Sequence, residues 1–89
     1  MDKVNNCHKL WDLGKIIGFL AGQEKVSITE MRTELAKSIG VGSTTIYGWV
    51  RRSKVELRRL INYEMLEGIL AFAKARGLEL AIYDIISPK

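Results

Sequence analysis

Residues 32 to 51, Arg-Thr-Glu-Leu-Ala-Lys-Ser-Ile-Gly-Val-Gly-Ser-Thr-Thr-Ile-Tyr-Gly-Trp-Val-Arg, read as two helices joined by a tight turn. Two helices that cross steeply through a turn of about three residues need a small side chain where they touch, and Ala36 supplies it in the first. The turn itself needs a residue that tolerates positive φ, which Gly40 provides. Leu35, Ile39, Val41, Ile46 and Trp49 then fall on inward positions and lock the second helix onto the first. With Ile46 and Trp49 turned inward, the outward set on the second helix is Ser43, Thr44, Tyr47, Gly48 and Arg51.

Upstream of this unit, Ser27-Ile28-Thr29-Glu30 has the capping-box form, a hydroxyl for the third backbone N–H and a glutamate that reaches back. The first helix of the pair therefore starts there, and Met31, Leu35 and Ile39 continue it at steps of four. Gly42 or Ser43 caps the second. Earlier still, Leu10, Leu13, Ile17 and Leu20 recur at steps of three and four, so a helix is expected from His8 to Ala21, with Gly22 to Lys25 as its connector. Gly14, Gly18 and Ala21 form a stripe of small residues beside that apolar face. Such a stripe suits close helix packing, although each glycine costs about 1 kcal/mol of helix propensity. Downstream, Val55, Leu57, Leu60, Ile61, Met65, Leu66, Ile69, Leu70, Phe72 and Ala73 sit among charges and read as helix, with a break favoured near Asn62 and an end at Gly77. Leu78, Leu80 and Ile82 then alternate with Glu79, Ala81 and Tyr83, the period of a half-buried strand. The expected fold class is all-α, about five helices with one short C-terminal β-strand.

The 89 residues suffice for one domain with one modest core. Apolar residues make up 47% and charged residues 27%, the composition of a folded globular chain. The net charge of +4 favours an anionic partner, nucleic acid or acidic membrane. Arg51, Arg52, Lys54, Arg58 and Arg59 concentrate that charge, opposed locally by Glu56. Cys7 is the lone cysteine, which excludes an internal disulfide and a thiolate zinc cluster, and with His8 it offers two adjacent ligands and no third. No metal and no cofactor is expected. The apolar run Ile16 to Ala21 is far below the roughly 20 residues that span a bilayer, and no cationic start with an unbroken apolar stretch marks a secretory signal. A cytoplasmic location without membrane contact follows as the expectation. Glu64 and Glu67 stand at helical spacing among apolar residues and read as a solvated face. No nucleophile-and-base constellation or phosphate-binding glycine loop is present, so an enzyme is not expected.

The stretch Glu34-Leu35-Ala36-Lys37, then Gly40-Val41, Thr45-Ile46 and Trp49 resembles the helix-turn-helix of bacterial and phage regulators, in particular the Cro and lambda-repressor-like family. Gly42 stands where that family often has a capping serine, and residues 52 to 62 exceed its usual spacer. Met65 to Leu80 is similar to the family's last helix and its exit. In antitoxin-type repressors of the HipB kind a strand after this helix pairs with its copy in a second subunit. The resemblance implies a single helix-turn-helix domain over residues 1–89, with residues 8–52 as the DNA-binding part and residues 55–89 as the C-terminal helix and dimerisation strand. It implies double-stranded DNA as partner, with the second helix of the pair in the major groove. Ser43, Thr44, Tyr47, Gly48 and Arg51 are then the base contacts. Arg32, Lys37, Thr45, Arg52, Lys54, Arg58 and Arg59 are the phosphate contacts. Leu78, Leu80, Ile82 and Tyr83 would join two copies of the chain. The function this implies is transcription regulation, a homodimeric repressor on a palindromic operator. The rivals are a protein-interaction module, such as an antitoxin that neutralises a toxin, and an RNA-binding adaptor.

Overall fold

The structure, a computed structural model, describes residues 11–86. Five α-helices follow one another there: α1 (Leu13–Glu24), α2 (Ile28–Ile39), α3 (Ser43–Val50), α4 (Lys54–Leu60) and α5 (Tyr63–Ala75). A 3-10 turn at Ile82–Asp84 ends the described chain, and no strand forms among the described residues.

Each helix starts where a side chain can satisfy an orphan N–H, α3 excepted. Asp12 caps α1 by accepting from the Lys15 N–H at 2.8 Å, so this helix starts after Asp12 instead of at His8. Residues 8 to 10, with Cys7, lie outside the described residues. At its other end α1 continues through Gly22 to Glu24, part of the expected connector. Lys25 takes the left-handed conformation (φ 57°) and donates back to Ala21 and Gly22. Ser27 and Glu30 form the capping box of α2, and Gly40 ends that helix at φ 80° with its N–H on the Ala36 carbonyl. Asn62 accepts from the Met65 N–H at 2.8 Å and starts α5, while Ile61 before it is extended. That cap is the physical cause of the break.

Helix α2 is the hub: it packs against α1, α3 and α5, and α1 also touches α3. Leu13, Ile16, Ile17 and Leu20 of α1 meet Met31 and Leu35 of α2, Ile46 and Trp49 of α3, Leu57 of α4 and Ile69 of α5 in one core. The close helix approach lies elsewhere than in the expected stripe. A Cβ at Gly18 would meet nothing within 4 Å and one at Gly14 would meet ordinary contacts, whereas a Cβ at Gly68 of α5 would sit 2.7 Å from Cγ2 of Ile39 in α2.

The C-terminal segment corrects the expected strand. Leu78, Leu80 and Ile82 alternate as read, but they pack half-buried on the protein's own core. The backbone is tied down locally. Gly77 has a φ of 89°, the Leu78 N–H donates to the Ala73 carbonyl, and the Ala81 N–H donates to the carboxylate of buried Asp84 at 2.7 Å. Ile85 and Ile86 both donate to the Ile82 carbonyl. A terminal strand would have needed a ladder partner for those donors. Asp84, three residues beyond Ala81, and the turn after it remove the need.

Candidate nucleic-acid interface

The short α3 carries the candidate surface, held by its inward residues. Ile46 is fully buried and Trp49 nearly so. Because those two face the core, Ser43, Thr44 and Thr45 in the first turn, and Tyr47 and Arg51 beyond it, are exposed. Gly48 is half-buried, with open space beside its Cα. Gly42 caps the helix without a side-chain bond. The first N–H groups of α3 therefore have no capping side chain.

Tyr47 is the centre of this face. The residue is 45% exposed, and two guanidinium groups lie over its ring, Cζ of Arg32 at 5.0 Å from the centroid and Cζ of Arg51 at 5.6 Å. Both distances fall within the reach of a cation–π attraction. The Arg51 Nη1 also donates to the Tyr47 hydroxyl at 3.4 Å, a long bond that adds direction more than strength. Arg32 comes from α2, so this contact spans the turn and ties the two helices together on their outer side. The periodicity placed Arg32 on α2 but not beside Tyr47, since the crossing angle decides that.

The expected phosphate contacts divide between surfaces. Lys37 is exposed in the last turn of α2, and Arg58 and Arg59 are exposed in the last turn of α4. Arg52 and Lys54 share a cleft of about 250 Å³ with Lys15, Trp11 and Trp49, between the start of α1 and the end of α3. Lys15 carries no signal in the sequence, where α1 stands out by its apolar face alone. Lys54 is half-buried, and its ammonium donates to the Tyr83 carbonyl at 3.3 Å. Arg52 and Arg59 line a second groove with Val55, Glu56 and Leu60. The basic residues therefore border two grooves that meet at Arg52.

The start of α4 is organised by a second capping box, whose Ser-x-x-Glu form is present in the sequence at Ser53 and Glu56. The Glu56 N–H donates to Ser53 Oγ at 3.2 Å and the Ser53 N–H donates to Glu56 Oε1 at 2.9 Å. That backbone N–H, with help from the Ser53 hydroxyl and the Arg52 charge, holds the Glu56 carboxyl below its ordinary range. On the next helix, the bond between the Tyr63 hydroxyl and Glu67, one turn on, pushes the phenol up.

Of the expected dimer residues, Tyr83 is exposed while Leu78, Leu80 and Ile82 face the core. The large apolar side chains exposed near α4 are Val55, Leu60 and Tyr63. No helix among the described residues is long and apolar enough to cross a membrane. No family model, curated protein or solved structure matches the chain.

Proposed function

We propose that this protein is a sequence-specific DNA-binding transcriptional regulator of the cytoplasm, a homodimeric repressor that inserts α3 into the major groove of a palindromic operator. One observation carries the reading. The α3 face that leaves the core presents hydroxyls, an aromatic ring and a guanidinium side by side, the groups that read base edges and thymine methyls. The resemblance of residues 34 to 49 to the Cro and lambda-repressor-like motif points the same way. Arg52, Arg58, Arg59 and Lys37 supply exposed cations for phosphates, without sequence preference.

A single helix of this length contacts few base pairs, so useful affinity needs two copies on one site. The second copy meets the first at the α4–α5 corner in this reading, since the C-terminal apolar residues already face their own core. Val55, Leu60 and Tyr63 are the large apolar side chains exposed there.

Selection of bound sequences from random duplex DNA tests the function. Enrichment of a palindrome is the expected result. Enrichment of nothing would sink the DNA reading and favour the alternative, an antitoxin-type module that uses the same apolar corner to neutralise a toxin.

A further inference from the structure

Resting on the DNA reading above, we infer that Arg32 is a positioning residue: it acts through Tyr47 to hold Arg51 ready for a guanine, and does not serve as a phosphate contact. The three side chains then form one composite reader, with Arg51 as its tip, the Tyr47 ring as its backing and Arg32 as the support from α2.

The geometry separates Arg32 from the other cations of this face. Lys37, Arg51 and Arg52 are exposed, whereas Arg32 is half-buried, its guanidinium at 5.0 Å from the Tyr47 centroid and its Nη2 within 3.5 Å of the Thr29 hydroxyl on its own helix. Reaching out to a phosphate would draw this head group off the Tyr47 ring, while the long contact to Thr29 adds little hold of its own. An exposed tyrosine ordinarily samples several rotamers, and an arginine after the last turn of a short helix samples more. Here one ring carries both guanidiniums, so fixing Tyr47 from α2 also limits where Arg51 can go. Ordering a side chain before binding removes that entropic cost from the binding step.

The tip chemistry selects the base. Guanine presents two acceptors to the major groove, N7 and O6, at the spacing of a guanidinium fork. Adenine and cytosine present a donor there, which a guanidinium cannot accept.

The full-length chain and the duplex enriched by selection provide the test. Dissociation constants are measured over a salt series for Arg32→Ala, Arg32→Lys, Tyr47→Phe, Tyr47→Ala and the Arg32→Ala/Tyr47→Ala pair, with thermal melts as a folding control. Arg32→Ala should weaken binding about tenfold in the parent and in Tyr47→Phe, and hardly at all once Tyr47 is alanine. The salt slope should stay where it was, and Arg32→Lys should not rescue, because an ammonium lacks the planar stacking face. Replacing the guanine opposite Arg51 by 7-deazaguanine should weaken the parent and leave Arg51→Ala unaffected. Additive losses with a slope lower by about one unit, or rescue by lysine, would make Arg32 a phosphate contact and overturn the inference while the DNA reading stands. No enriched duplex at all overturns both.

Discussion

Arg76, just past the end of α5, links three helices outside the hydrophobic core. Its guanidinium lies 3.7 Å from the Phe72 ring centroid, and its Nη2 donates to Glu34 of α2 at 3.0 Å. Its Nε sits 3.0 Å from Glu24 of α1, with the N–H pointed off the oxygen, so that contact is ion pairing without a hydrogen bond. The carboxylates are well exposed, so screening leaves the stacking as the larger part. Arg76→Ala should lower stability by about 1–2 kcal/mol in chemical denaturation, and lysine should recover little of it. At the same scale, the two sides of α3 should part company. Ile46→Ala and Trp49→Ala should each cost about 2–5 kcal/mol of folding stability, because they empty buried volume. Tyr47→Ala and Arg51→Ala should leave the melt near its parent value and weaken specific DNA binding by about 1–3 kcal/mol. A melt that drops for Tyr47→Ala and holds for Trp49→Ala would reverse the register. That inward and outward division was legible from spacing alone. Arg76 was not, since its partner Glu34 is 42 residues away.

Among the elements, α4 and α5 owe their separation to two caps. Asn62→Ala removes the acceptor for the Met65 N–H and should destabilise the domain by about 1 kcal/mol, visible in a melting curve. The Ser53–Glu56 box should make α4 acid-sensitive. A carboxyl whose pKa is lowered on folding adds stability that is in place above the unfolded glutamate range and is lost as pH falls through the lowered value. The melting temperatures of the parent and Glu56→Gln should therefore differ at neutral pH and converge in acid; a constant gap would contradict this. Packing of α5 on α2 depends on Gly68. Gly68→Ala drives a methyl group to 2.7 Å from Ile39 Cγ2, and a β-branched side chain has little room to turn away. A net loss of about 1–3 kcal/mol is expected despite alanine's better helix propensity, and Ile39→Ala in the same chain should cancel the clash. The sequence favoured a break at Asn62 without fixing it, since its apolar spacing fits one helix as well as two, and the Asn62 cap decided it. The Gly68 contact could not be read from the sequence, because a glycine in a helical pattern signals nothing until the facing helix is known.

On the scale of the whole molecule, the proposed function rests on charge distribution and on self-association. Neutralising Arg52, Arg58 or Arg59 should weaken binding to all duplexes alike and lower the salt slope by about one unit for each phosphate that the variant leaves unneutralised. Lys54, already bonded to the Tyr83 carbonyl, should change the slope less. Sedimentation separates the two candidate dimer surfaces. Leu60→Asp should yield monomers with weakened operator binding, whereas Ala81→Pro should loosen the C-terminal turn, by removing the donor to Asp84, and leave the dimer intact. Monomers from Ala81→Pro and dimers from Leu60→Asp would return the interface to residues 78 to 83.

What the amino-acid order determined by itself was local. Hydroxyl and amide caps, glycines suited to positive φ and the three-to-four spacing of apolar residues act within one or two turns. They sufficed for the all-helical class, the tight turn at Gly40 and the outward set on α3. Tertiary structure decided the rest, because it depends on which distant surfaces meet. The crossing of α2 and α3 set Arg32 on Tyr47, and the packing of α5 on α2 made Gly68 the point of closest approach. The alternation of Leu78, Leu80 and Ile82 is the clearest case: a period of two says that one side of a segment is buried, and only the folded core says whether that side meets a second copy or its own chain.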